Sequence, residues 1–166
     1  MVKDKRKKDA PTATETPLNP SSTTDNCNTL YRKSQAKREQ RTRNFATVVY
    51  PESAPSDWID KLDQLHVAAL ISPLHDKDTN PSGEPKKPHY HVLLMFEGVK
   101  DYETQVKPIF AEIGGVGREM VNSARGYARY LCHLDNPEKA QYEPSEVRCM
   151  GGADYTDITN LPTDRS

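Results

Sequence analysis

Residues 89–96, HYHVLLMF, constrain this chain more than any other stretch. Eight bulky apolar and aromatic residues in a row, introduced by a polar loop, read as a β-strand. Strand side chains alternate between faces, so His89 and His91 project together and Tyr90 turns the other way. Two further stretches have the same texture. FATVVY at 45–50 is β-branched and aromatic and stops at Pro51, and VAALIS at 67–72 is a short apolar run of the kind buried on both sides. Between them, Pro55-Ser56-Asp57 opens a helix capped by Ser56 or Asp57, with Trp58, Leu62 and Leu65 on its buried face and Ile59 beside them.

The second half repeats these textures more weakly. Residues 101–113 read as a helix burying Val106, Ile109, Phe110 and Ile113, with Pro108 in its first turn or at a kink. Gly114 to Gly117 end it, and 116–121 read as a short strand. Asn122 or Ser123 then caps a third helix that runs to about Leu134 and stops before Asn136-Pro137. A last strand is expected at 146–150. Strands and helices mix without βαβ repetition, which predicts an α+β fold: an antiparallel sheet with helices packed on one face.

Charge divides the chain. Residues 1–44 hold 11 Lys+Arg against 5 Asp+Glu, and the remainder holds 12 against 19. The first 43 residues also contain a Thr/Pro/Ser/Asn stretch and few apolar groups, so 1–43 is expected to be a disordered basic arm. The folded domain is expected over 44–158, with a flexible tail at 159–166. No apolar run is long enough for a membrane span, and the basic start lacks the apolar stretch of a secretory signal. Three cysteines without a CxxC pair suit reduced thiols, which points to a cytoplasmic protein.

His75 and Asp78 lie in the loop that joins the strands at 67–72 and 89–96. If those strands form a hairpin, the loop returns both residues towards His89 and His91. Three imidazoles and a carboxylate then form a mixed nitrogen and oxygen site for a divalent ion. With no thiolate among the ligands, Mn²⁺, Mg²⁺ and Zn²⁺ all remain open. Asp76 competes with Asp78, but Asp78 stands three positions from His75, where a turn brings both side chains to one side.

The helix SARGYARYLCHL can be read by its 100° step. Ala124, Tyr127, Ala128, Leu131 and Leu134 form one arc, facing the sheet. Arg125, Arg129 and His133 form the opposite one. Tyr130 falls on the border, with Gly126 leaving space beside it, and is better placed than Tyr127 to offer its hydroxyl. A tyrosine beside a metal can act as a nucleophile towards a DNA phosphate. Arg125 and Arg129, one turn apart, could hold phosphates or could simply line a solvated face. Lys86 and Lys87, just before the histidine strand, are further candidates for DNA contact.

Together these motifs resemble the HUH endonucleases, named for His-hydrophobic-His. FATVVYPESAPSDW, ISPLHDKD, KKPHYHVLL and YLCH resemble more closely the single-tyrosine replication initiators (Rep proteins) of rolling-circle plasmids, over roughly residues 44–157. The resemblance implies a five-stranded antiparallel sheet with helices, similar to RNA-recognition-motif and ferredoxin-like folds. It implies His75, Asp78, His89 and His91 as ligands of Mn²⁺ or Mg²⁺ rather than Zn²⁺, and Tyr130 as the catalytic tyrosine. It also implies cleavage of one strand at a plasmid double-strand origin, leaving a 5′-phosphotyrosine and a 3′-hydroxyl that the host replication machinery of a bacterium extends. Members commonly form homo-oligomeric rings through a C-terminal helical region. This chain stops soon after the nuclease motifs, so the expectation is a nicking domain. Viral initiators carry Tyr-x-x-Lys, whereas position 133 here is His. A relaxase or transposase of the same superfamily shares the histidine pair and tyrosine, and a non-catalytic DNA-binding protein could use the metal structurally. ISPLHDKD favours the replication branch.

Overall fold

A computed structural model describes residues 41–160. The chain enters β1 (Arg41–Val49), makes α1 (Trp58–Asp63), and returns as β2 (Ala68–Ile71). It then forms β3 (Tyr90–Asp101), a π-helical turn at Tyr102–Val106 that runs into α2 (Lys107–Glu112), and β4 (Gly115–Met120). α3 (Ala124–Tyr130), a short 3-10 turn, β5 (Arg148–Met150) and α4 (Tyr155–Asn160) follow. The sheet order is β4-β1-β3-β2-β5, and every neighbouring pair is antiparallel. The first four strands with α1 and α2 have the β-α-β-β-α-β order of ferredoxin-like folds, and β5 extends the sheet beside β2. The expected five-stranded antiparallel α+β fold is therefore present.

The expected placement of the helices on one face is corrected. Alternate residues of the central strands feed two separate cores. Phe45, Val49, Ala69, Ile71, Val92 and Leu94 point to one side, where α1 and α2 bring Trp58, Leu62 and Phe110. Ala46, Leu70 and Leu93 point to the other, where α3 and α4 bring Tyr127, Ala128 and Tyr155. Both faces of β3 are thus covered, which explains its nearly unbroken apolar sequence. Tyr90 packs against Trp58 with ring centroids 5.6 Å apart, while His89 and His91 belong to the α3 side.

Several boundaries also differ. β1 begins at Arg41, because Arg41 and Thr42 pair with Asp101 and Lys100 beyond a bulge, so the last three residues of the expected arm are strand. Residues 1–40 and 161–166 lie outside the described residues. α4, absent from the sequence reading, takes in the start of the expected tail, and its Thr159 is buried. Pro108 occupies the second position of α2, directly after the π-helical turn. Gly114 follows that helix at φ +76°, the left-handed conformation that glycine adopts freely. α3 ends earlier than expected, at Tyr130, after a start capped by Ser123, whose hydroxyl accepts from the Gly126 amide at 3.0 Å.

Candidate metal and tyrosine site

The hairpin of β2 and β3 assembles the site. Past β2, Ser72 N–H donates to His91 O at 2.9 Å, and its hydroxyl accepts from His91 N–H at 2.9 Å. His75 and His89 then exchange backbone hydrogen bonds of 2.8 and 3.3 Å. The loop beyond continues the ladder, with Lys86 N–H donating to Asp78 O at 2.8 Å. One ligand atom from each of His75, Asp78, His89 and His91 therefore lies within 4.8 Å of all the others. Asp78 belongs to this group, whereas Asp76 is exposed.

Hydrogen bonding fixes which ring nitrogens are free. Carbonyl oxygens only accept, so His89 Nδ1–H donates to Lys87 O (2.7 Å), leaving Nε2 3.6 Å from Asp78 Oδ2. By the same logic His75 Nε2–H donates to Leu131 O (2.8 Å), and its Nδ1 lone pair faces Asp78 Oδ2 at 3.1 Å. Burial holds His75 below its usual range, against the pull of the Leu131 carbonyl and Asp78. Burial, reinforced by His75 and His89, brings His91 down to about 3. For Asp78, burial works to raise the carboxyl, but the Tyr142 hydroxyl and His75 outweigh it and keep it below the usual carboxylate value. Imidazole nitrogens and a largely shielded carboxylate thus converge on one small space. The donor set fits a divalent metal ion.

Two residues that sequence reasoning missed complete the cluster. Tyr142 stacks on His75, with centroids 4.1 Å apart and planes 6° from parallel, donates to Asp78 Oδ1 at 2.7 Å, and accepts from Lys77 N–H at 3.1 Å. His133 is buried, with Nδ1–H donating to Ala140 O at 2.7 Å. The sequence reading had put it on the outer arc of a longer helix. Its φ of +55° breaks the helical path and turns the ring inward against His75 and Tyr130. Neither residue carries a local signal, since each depends on residues 131–143 folding back over the hairpin. Tyr142→Phe keeps the stack and deletes the hydroxyl. Its expected effect is a loss of about 10–100-fold in metal affinity, the usual cost of removing a partner that orients a ligand, measured by manganese titration calorimetry.

The two tyrosines of α3 divide as their helix positions suggested. Tyr127 is buried, its phenol pushed up by burial, with the hydroxyl 3.5 Å from His91 Nδ1. Tyr130 is half-buried, its ring centroid 5.4 Å from that of His91 and 5.2 Å from that of His133. Burial raises its phenol too, and nearby Lys86 opposes the rise. Its hydroxyl has no hydrogen bond among the described residues.

The four basic candidates separate. Lys86 borders Tyr130 and Asp78 directly. Lys87 stands before His89 but pairs with Glu52 at 3.3 Å. Arg125 and Arg129 are engaged within the fold: Arg125 Nε donates to Thr159 O at 3.0 Å, and Arg129 makes a bidentate pair with Asp135 at 2.7–3.0 Å. The structure does not bring these arginines to the cluster.

A ferredoxin-like sheet with an imidazole-carboxylate cluster beside a helix-borne tyrosine has the form that the initiator resemblance implied. Residues 37–156 match the family described as plasmid replication protein, origin binding domain, and the chain belongs to that family. It is similar to a replication protein of Staphylococcus aureus, 39% identical over 134 residues covering 81% of this chain and 67% of the relative. A replication protein RepB of Lactiplantibacillus plantarum is 44% identical over 75% of this chain and 56% of its own length. The RepB of Streptococcus agalactiae is 33% identical over 74% and 63% respectively. The chain thus spans about 56–67% of the length of these relatives. No helix among the described residues is long and apolar enough to cross a membrane.

Proposed function

We propose that this chain binds a plasmid origin and nicks one strand there, starting rolling-circle replication. The observation that carries the reading is the position of Tyr130, a tyrosine with an unengaged hydroxyl packed against His91 of a four-ligand cluster. In the proposed reaction the Tyr130 oxygen bonds to phosphorus and the P–O3′ bond breaks. The phenolic proton is given up and the departing 3′ oxygen gains one, so the products are a 5′-phosphotyrosine and a 3′-hydroxyl. The ester conserves the energy of the broken bond for later rejoining, and the free 3′ end is a primer for host polymerase.

His75, Asp78, His89 and His91 would hold the divalent ion, Mn²⁺ or Mg²⁺, and three imidazole donors favour the former. When bound, that ion supplies charge stabilisation to the phosphoryl oxygens. The chain's own residues do the remaining work. Hydrogen bonds to Lys87 and Leu131 aim lone pairs of His89 and His75 into the site, and Tyr142 fixes the Asp78 carboxylate. Tyr127 supports the His91 ring, and burial keeps His75 and His91 unprotonated at neutral pH.

A labelled single-stranded origin hairpin tests the proposal. Cleavage should stop in excess chelator and return when Mn²⁺ is added beyond it. Cleavage that continues in chelator would remove the metal from the mechanism.

A further inference from the structure

Beside Tyr130 lies a cavity of about 110 Å³ whose lining includes Lys77, Asp78, Lys86, Tyr130, His133 and Lys139. Three lysines from two separate loops converge on it. None of their ammonium groups has a salt-bridge partner among the described residues, whereas Lys61, Lys87 and Lys107 are all paired. Lys139 instead sits with Nζ 5.0 Å from the Tyr130 ring centroid. Glu138, an acid on the rim, is engaged by Asn136 Nδ2 at 3.2 Å. Unpaired ammonium groups gathered around a concave wall are suited to an anion, and in a body with an acidic balance they form a local exception.

Lys86 also borders the cleft of about 400 Å³ in front of His89 and His91, which Tyr50 and Lys87 help to line. A strand lying along that cleft and into the cavity would pass the Tyr130 hydroxyl on the way.

We infer that this cavity is a phosphate seat: it takes one backbone phosphate of a single DNA strand, next to the phosphate that Tyr130 attacks, and holds it with Lys77, Lys86 and Lys139. The inference rests on the proposed attack on a DNA strand, but the seat itself needs neither metal nor cleavage. Its consequence is register. Fixing a neighbouring phosphate determines which phosphodiester is presented to Tyr130, without reading any base.

The full chain in chelator, which separates binding from cleavage, is the material for the test. Affinity is measured for single-stranded oligonucleotides in which one phosphate at a time is a neutral methylphosphonate. The wild type should lose affinity most at one position beside the cleavage site. In Lys139→Gln and Lys86→Gln that position should lose its special cost while all others keep theirs. Each variant should also lower the salt slope of binding, by at most about 0.7, the contribution of one single-strand phosphate contact. Lys61→Gln, on α1 and away from the site, serves as the control and should change neither. Lys86 and Lys139 are solvent-exposed and Lys61 is partly exposed, so the fold is expected to survive, checked by circular dichroism. A loss spread evenly over all phosphates, or no binding at all in chelator, would overturn the seat. Position-specific coupling in a protein that never forms a tyrosine adduct would keep the seat and refute the nicking reaction instead.

Discussion

Tyr130→Phe is expected to abolish strand cleavage and covalent adduct formation while leaving origin binding intact. The phenyl ring keeps its packing against His91 and His133 and loses only a hydroxyl that holds no hydrogen bond among the described residues. Stability should therefore change little, because no buried partner is stranded. Chemistry should change greatly: removing a covalent nucleophile costs a factor on the order of 10⁶ in enzymes where it has been dissected. Tyr127→Phe is the informative partner. Tyr127 is buried and its hydroxyl stands at the limit of hydrogen-bond distance from His91, so cleavage should persist at a reduced rate. If Tyr127→Phe abolished cleavage and Tyr130→Phe did not, the two roles would have to be exchanged. The comparison is a rate measurement on one labelled hairpin, with gel-shift binding as the control.

The second large effect concerns His91→Ala. His91 belongs to the candidate cluster and packs against Tyr130, and burial, which brings its pKa down to about 3, favours its neutral form. Its loss would remove one of the four proposed ligands and leave a void beside Tyr130. Metal affinity should fall by more than the roughly 10–100-fold typical of an orienting partner, and cleavage should fall with it. Thermal unfolding gives a readout independent of activity. Manganese at about a hundred times its Kd should stabilise the wild type by about 2.7 kcal/mol, and the same addition should leave His91→Ala nearly unmoved. Equal stabilisation of both proteins would show that the ion binds elsewhere.

Much of this site was legible because it is built on strand periodicity. His89 and His91 share a face wherever residues 89–96 form a strand, and the β2–β3 pairing follows from two apolar runs joined by a polar loop. The turn and helix geometry that preferred Asp78 to Asp76 and Tyr130 to Tyr127 agrees with where they lie, Asp78 in the cluster and Tyr130 less buried than Tyr127. What stayed hidden depends on distant parts of the chain meeting. Residues 97–101 of β3 lack an apolar pattern, because their partner is the start of β1 and not a core. α4 was missed because nothing in its local pattern sets it apart from a tail. His133 escaped because the helix stops at Tyr130, a boundary that tertiary packing sets. Tyr142 reaches Asp78 across 64 residues of sequence. Arg125 and Arg129 looked available only because their partners, Thr159 and Asp135, could not be anticipated.

The central claim is that Tyr130 becomes joined to the 5′ end of the cleaved strand. Digesting the protein after reaction with an origin hairpin and weighing the peptides tests it directly. The account expects a single modified peptide, the one containing Tyr130, carrying the downstream DNA fragment through a phosphate on its 5′ end. Cleavage without any protein-linked DNA, or an adduct on a different tyrosine, would contradict it.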